Sequence, residues 1–386
     1  MQTMLLRNRW DIFCTVVDNY GDIGVCWRLA RQLVGEHGLP VRLWVDDLAS
    51  FASFAKLAPE LDPAQNSQSL CGVEIRRWAM PFADTAPAEV VIEAFACNLP
   101  DTYIEAMAAR TEKPLWINLE YLSAEAWVED RHCLPSPHPR LALTKYFFFP
   151  GFTGKTGGLL REAELIAARD AFQNDAQAQA AWWRKLGVAP VPGALTVSLF
   201  AYPSAPLAPL LAAWIASPTP IICLVPDTPL AAAIATALQA GALQPGKCIT
   251  RGQLTLVGIP FLSQPDYDRL LWACDLNFVR GEDSFTRAQW AAKPLVWHIY
   301  PQHDAAHAAK LEAFIARYCA GMNVSDTGVL ADFWHAWNIT SDVAAVWPAF
   351  AAALPSLSGH ARQWATGLAT QPDLATQLVK FSQKPL

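Results

Sequence analysis

The sequence predicts an α/β protein built from two doubly wound, Rossmann-like domains. Three observations lead there. Short apolar runs alternate with helical runs through the first half of the chain. The alternation restarts after a polar, Pro- and Gly-bearing stretch near the middle. Several apolar runs are hydrophobic on consecutive positions, the pattern of strands covered on both faces of a parallel sheet. A length of 386 residues is more than one ordinary core and suits two such domains.

The elements follow in order. Asp11–Val17 reads as a strand, Ile23–Glu36 as a helix and Val41–Val45 as the next strand. Val73–Trp78, Val90–Phe95 and Leu115–Leu119 are further strands, and Leu159–Phe172 reads as a helix. The polar stretch Gln173–Gln179, the following AWWRKLG and the segment Ala189–Gly193 read as the linker. This divides the chain into an N-terminal domain, 1–180, and a C-terminal domain, 181–386. In the second domain Leu195–Phe200, Ile221–Val225, Leu254–Ile259, Leu276–Val279 and Leu295–Ile299 read as strands. Helices lie between them, Asp266–Ala273 among them. From Asp304 the chain is almost all helical, and its last helix is free to pack back on the first domain.

Composition narrows the class. Hydrophobic residues make up 53% and charged residues 17%. No apolar run is long enough to span a bilayer, and stretches such as Pro220–Pro226 are closed by prolines. The N-terminal MQTMLLRNRW lacks the apolar stretch and cleavage site of a signal peptide, so a cytoplasmic location is expected. The nine cysteines are scattered, odd in number and form no CxxC pair. They read as reduced thiols rather than a disulfide frame or zinc site. Net charge is −6 with no Lys/Arg stripe, which argues against nucleic acid as partner.

Two loops can carry chemistry. The first, Asp18-Asn19-Tyr20-Gly21-Asp22-Ile23-Gly24, follows a strand and opens a helix. The bland reading is a capping loop with Asp22 as cap. The functional reading places a carboxylate at the strand ends, as a base or as a guanidinium partner. A dinucleotide fingerprint, with Asp46 or Asp47 as the ribose acid, is disfavoured: G-x-G-x-x-G is incomplete, and an acid between the glycines would repel a pyrophosphate.

The second, Arg280-Gly281-Glu282-Asp283-Ser284-Phe285, also runs from a strand into a helix. Unpaired N–H groups, the helix dipole and the two-pronged Arg280 suit a diphosphate. Ser284 adds a hydroxyl, and Glu282 suits sugar hydroxyls. An ordinary capped helix is the bland alternative. Phe200, Tyr202, Phe261, Gln264, Tyr267 and Tyr300 lie at or just beyond other strand ends. Each aromatic alone is a core candidate, but their shared edge suits stacking on a pyrimidine base, with Gln264 at its rim.

Weaker signals are set aside. Gly154-Lys155-Thr156 lacks the upstream glycine of a P-loop, leaving a mobile cleft loop as its reading. His303 and His307 have helical spacing but no third ligand. No Asp-x-Asp stands beside the phosphate loop, so no metal and no cofactor are expected.

The tandem doubly wound plan resembles GT-B glycosyltransferases, in which the cleft lies between the domains. VVDNYGDIGVCWRLARQL and NFVRGEDSFTRAQWAAKPLVWHIYPQ resemble the EarP family of bacterial arginine rhamnosyltransferases acting on elongation factor P. The likeness extends to WINLEYLSAE, FFFPGFTGKTGGLLRE, SLFAY and PFLSQPDYDRLLW, and so over the whole chain. It implies inverting transfer from dTDP-β-L-rhamnose to one loop arginine in the N-terminal domain of elongation factor P. It also implies thymidine among Phe200, Tyr202, Phe261, Gln264 and Tyr267. Arg280, Glu282, Asp283, Ser284 and Tyr300 would serve the diphosphate and sugar. Asp22, with Asp18 beside it, would serve the acceptor, within the loop carrying Asn19, Tyr20, Gly21 and Gly24. Which of the two is the base stays open. A transferase with another acceptor, or a non-catalytic module binding elongation factor P, are the alternatives.

Overall fold

The computed structural model describes residues 8–16, 20–54, 61, 62, 64–301 and 306–385. The chain forms two compact units, one of Met1–Ala163 with Thr370–Leu386, the other of Glu164–Ala369.

The first unit is an eight-stranded sheet. Its strands are β1 (Trp10–Cys14), β2 (Val41–Val45), β3 (Ser67–Leu70), β4 (Val73–Arg77), β5 (Val90–Ala94), β6 (Leu115–Leu119), β7 (Pro135–Pro137) and β8 (Thr144–Phe148), in the spatial order β3-β4-β2-β1-β5-β6-β8-β7. The six inner strands are parallel, and β3 and β7 close the edges antiparallel. β1, β5 and β6 are buried at every position, and each is apolar apart from one buried polar residue, Asp11, Glu93 or Asn118. One face is covered by the helix Gly21–His37 and the C-terminal helix Leu374–Ser382, whose Leu374, Leu378 and Phe381 join the core with Ile12, Ile92 and Ile117. On the other face Phe13, Trp44, Tyr103 and Trp116 pack together.

Asp11, fully buried inside β1, interrupts this apolar layer. A buried carboxylate needs a cation and hydrogen-bond donors. Arg42 supplies two bonds of 2.6 Å, the Trp44 indole one of 3.2 Å and the Ala88 amide one of 3.0 Å, while the Tyr103 hydroxyl also donates to it.

The second unit is a six-stranded sheet of β9 (Leu195–Leu199), β10 (Ile221–Pro226), β11 (Cys248–Arg251), β12 (Leu254–Ile259), β13 (Leu276–Arg280) and β14 (Leu295–His298). Its order is β11-β12-β10-β9-β13-β14, parallel apart from the edge strand β11. Two doubly wound units with a helical C-terminal end give the predicted α/β, GT-B-like class.

Two readings change. The unit boundary falls at 163/164, ahead of the stretch read as linker. That stretch holds two helices, Leu165–Asn174 and Ala176–Lys185, the second capped by Asp175. The Arg169 guanidinium donates to the Trp290 carbonyl at 2.9 Å, and the Gln173 amide donates to the Trp272 and Ala291 carbonyls. These bonds tie the first helix to the rest of the second unit, and the Lys185 ammonium, which donates to Asp266 at 2.8 Å, ties the second. The helix expected from Leu159 starts only at Leu165, because Gly158 is left-handed (φ 72°) and the Leu159 carbonyl accepts from the Leu374 amide instead of opening a helix.

The C-terminal helix is thus part of the first core. Leu378→Ala, at a position with no exposure, is expected to destabilise that unit by roughly 2–5 kcal/mol. Denaturant unfolding checks this; a loss below about 1 kcal/mol would mean that the helix is only loosely docked.

Candidate functional site

In the second unit the sheet is wound outward from β9 through β10 to β12, then returns to β13 on the other side. The chain therefore leaves β9 and β13 in diverging directions at their carboxyl ends, and a crevice opens there. Phe200-Ala201-Tyr202 leaves β9, and Arg280 is the last residue of β13.

The Arg280 guanidinium lies 4.6 Å from the ring centres of both Phe200 and Tyr202. It is only 9% exposed. Among the described residues no carboxylate comes within ion-pair distance of it. Buried charges are normally paired. The ring faces stabilise the cation by about 0.5–2 kcal/mol each and fix its plane. An anion entering the crevice would complete its pairing.

The loop behind Arg280 is rigid. Gly281 turns the chain at φ 60°, a conformation that favours glycine. Ser284 accepts from the Arg280 amide at 3.0 Å and donates to the Arg280 carbonyl. The hydroxyl expected to meet a ligand is therefore engaged with the loop itself. The helix Asp283–Trp290 that follows is clamped by a buried ion pair, in which Arg287 donates to the two oxygens of Asp268 at 2.9 and 2.7 Å. Asp268 belongs to the helix Gln264–Ala273, capped by Ser263. Gln264, buried at the head of that helix, donates to Asp283 at 3.3 Å. The Tyr267 ring meets Phe200 edge-on at 5.8 Å, and burial raises its hydroxyl pKa well above the ordinary value.

Tyr202 is fixed from two sides. His298 Nδ1 accepts from the Tyr202 amide at 3.1 Å, and the two rings meet at 5.2 Å. The exposed Tyr300 approaches Tyr202 edge-on at 5.5 Å. Burial, reinforced by Arg280, lowers the His298 pKa to about 4, so the ring is neutral near pH 7. Phe261 is half-buried in the loop after β12, and Glu282 precedes the Asp283 helix without a side-chain cap bond. Phe200, Tyr202, Gln264, Tyr267, Arg280, Asp283, Ser284 and Tyr300 thus belong to one connected edge.

The first unit has the matching reversal at β1 and β5. Asp18 and Asn19 lie outside the described residues. Asp22 stands in the first turn of the Gly21–His37 helix and is 1% exposed. It is not the cap: Tyr20 occupies that place and makes no side-chain cap bond, while the Gly24 amide donates to the Tyr20 carbonyl at 2.9 Å. Asp22 faces the end of β1. The Cys14 thiol is pushed well up by its hydrogen bond to Cys26 and by burial, with Asp22 and Asp46 adding their charges. Asp46 accepts from the Val16 amide at 3.0 Å, and Asp47 accepts from the Ser50 amide at 2.9 Å. Both acids weighed as ribose ligands therefore have structural partners. The same holds for the GKT loop, where the Thr156 hydroxyl donates to the Thr153 carbonyl at 2.8 Å. Of the two histidines, His303 lies outside the described residues, and His307 is on the helix Ala306–Tyr318.

A feature that the sequence did not announce follows β5. After β5, Phe95, Ala96 and Asn98 all have φ near +55°. For a bulky residue such as Phe95 this is a strained conformation. It is held by the Phe95 amide donating to Leu119 O at 2.7 Å, the Ala96 amide to Asn118 at 3.1 Å and the Asn98 amide to Glu93 at 3.2 Å. The strain presents Phe95 flat against Tyr121, with ring centres at 4.4 Å and planes 18° apart. The neighbouring Glu120 is half-buried. WINLEYLSAE was the sequence signal at hand, but composition does not encode φ.

The family profile described as "Elongation-Factor P (EF-P) rhamnosyltransferase EarP" matches residues 10–383. The chain is 53% identical over 381 residues to a protein-arginine rhamnosyltransferase of Pseudomonas putida, covering 99% of this chain and 100% of the relative. It is 49% identical to the Pseudomonas aeruginosa protein of the same name, covering 96% of this chain and 98% of that one. A solved structure described as the structural basis for EarP-mediated arginine glycosylation of translation elongation factor EF-P is 42% identical. It matches with a TM-score of 0.70 over 98% of this chain and 99% of that chain.

The His298 geometry predicts a pH effect. Its folded-state value, about 4, lies below the ordinary 6.5. Its neutral form therefore supports the fold fully above pH 6.5, and that support fades as pH falls toward 4. His298→Asn keeps an acceptor for the Tyr202 amide but does not titrate. Chemical unfolding at pH 7.5 and 4.5 is expected to show a smaller acid loss in the variant. Equal losses would place the titration elsewhere.

Proposed function

The chain belongs to the EarP family of elongation factor P rhamnosyltransferases, a family of protein-arginine glycosyltransferases, and from that premise we propose its reaction. It moves L-rhamnose from dTDP-β-L-rhamnose to one arginine of elongation factor P, with inversion at the anomeric carbon and no metal ion. The observation that carries this reading is the buried Arg280 guanidinium, held between Phe200 and Tyr202 at the β9/β13 reversal with, among the described residues, no carboxylate within ion-pair distance.

The second unit is the donor side. The thymine ring stacks among Phe200, Phe261 and Tyr267, and the diphosphate meets Arg280 and the first amides of the Asp283 helix. As the C1–O bond breaks, negative charge grows on the leaving diphosphate. A fixed guanidinium and fixed amides stabilise that charge without first having to reorganise. Glu282 and Tyr300 border the sugar.

The first unit is the acceptor side. An arginine side chain is cationic with a pKa above about 12, and is a poor nucleophile. A guanidinium nitrogen bonds to C1 while the diphosphate leaves from the opposite face, and one N–H proton passes to Asp22. Asp18 orients the guanidinium. The Phe95–Tyr121 pair offers an aromatic face on which a planar guanidinium can stack, and Glu120 adds a negative charge beside it. The reaction takes place in the cytoplasm, where elongation factor P is made and used, and activates that factor.

Intact mass of elongation factor P after incubation with donor and enzyme is the direct test. A gain of one deoxyhexose is expected, lost when the acceptor arginine is replaced by lysine. Asp22→Asn should lower turnover by roughly 10²–10⁴-fold with folding intact; near-normal turnover would reject the base assignment. Arg280→Lys keeps the charge but loses the planar contact with both rings. It should weaken dTDP binding about tenfold or more by calorimetry. A chelator should leave the rate unchanged.

A further inference from the structure

The first unit carries a cavity of about 310 Å³ that the reaction does not use. It lies between the loop Gly154-Lys155-Thr156 and the C-terminal helix, with His132 and Phe148 in its wall. Three of the chain's ten lysines, Lys155, Lys380 and Lys384, converge on it, in a protein of net charge −6. The Glu129 carboxylate, 3.4 Å from Lys155, offsets one of the three charges. His132 is wedged edge-on against Phe148 at 4.5 Å, and its Nδ1 accepts from the Phe149 amide at 3.1 Å. With Nδ1 engaged as acceptor, the neutral ring carries its hydrogen on Nε2, a donor.

We propose that this cavity binds a small phosphate-type polyanion, through the ammonium groups of Lys155, Lys380 and Lys384 and the His132 ring. The volume is at the lower end for small-molecule sites. Lysines on flexible stems act as point charges suited to phosphate oxygens. The state of His132 fits: burial and the charge of Lys384 hold its pKa down to about 4. A bound anion would offset Lys384 and raise that value.

The test follows the His132 ring by NMR with ¹³C-labelled histidine, assigned through His132→Gln, as pyrophosphate is added to the full chain. The same titration on Arg280→Lys, weakened at the donor site, separates any response to pyrophosphate bound there. Expected is a saturable shift, with the His132 pKa rising by about one unit or more. Lys380→Glu with Lys384→Glu should weaken this response at least tenfold while leaving rhamnosyl transfer unchanged. A nucleoside triphosphate tested in parallel separates sources. Equal affinity assigns the site to free phosphate chains, and tenfold tighter binding to nucleotides. An unmoved His132 resonance at millimolar pyrophosphate, or equal binding by the double variant, overturns the proposal.

Discussion

In each sheet the winding direction reverses once, and the arrangement of both sites follows from that constraint. A parallel strand needs a crossover helix, and helices wound in opposite directions from neighbouring strands cannot both cover the strand ends. At β1/β5 and at β9/β13 the carboxyl ends are therefore left open. The Asp22 loop and the strained turn at Phe95 occupy one opening. Phe200, Tyr202 and the Arg280 loop occupy the other. Residues far apart in sequence share an edge because the topology leaves them nowhere else to emerge.

The two openings are stiffened by different means. In the second unit, fixed electrostatics do it: Asp268 grips Arg287, Ser284 bonds back to Arg280, and neutral His298 receives the Tyr202 amide. In the first, backbone strain does it. Three left-handed residues cost about 1–3 kcal/mol each, and amide bonds to Leu119, Asn118 and the buried Glu93 hold them in place. Glu93 is in turn bound by the Trp116 indole at 3.0 Å and by Lys145 at 3.2 Å. The turn is as firm as the strand pair beneath it.

What could be read from sequence depended on the kind of signal. Inner strands such as Ile221–Pro226 were legible because burial on both faces leaves an unbroken apolar run; β8, an inner strand that begins Thr144-Lys145 and is only partly buried at four of its positions, was not. The edge strands β3, β7 and β11 were not, being half exposed and, in β7, flanked by prolines. The polar stretch after Phe172 looked like a linker because its helices expose one side to water; the bonds from Gln173 to distant carbonyls leave no mark on composition. Arg280 and its aromatic neighbours were legible as a set because each stands at or near a strand end. The Phe95–Tyr121 stack was not, since nothing in Phe-Ala-Cys-Asn announces positive φ. Ser284 shows the limit of reading role from residue type, because its hydroxyl serves the loop that carries the site.

The two cationic features of the molecule differ in a way that matches their proposed tasks. Arg280 is planar, buried and held between two rings, so its hydrogen-bonding directions are set before any ligand arrives. Bond cleavage at a sugar phosphate requires such preset donors, because charge must be stabilised where it develops. Lys155, Lys380 and Lys384 are exposed ammonium groups on long stems around an open cavity. They can follow an anion of varied shape but cannot align one for reaction. Rigid positive charge therefore marks the place of chemistry, and mobile positive charge marks a place where an anion is only retained.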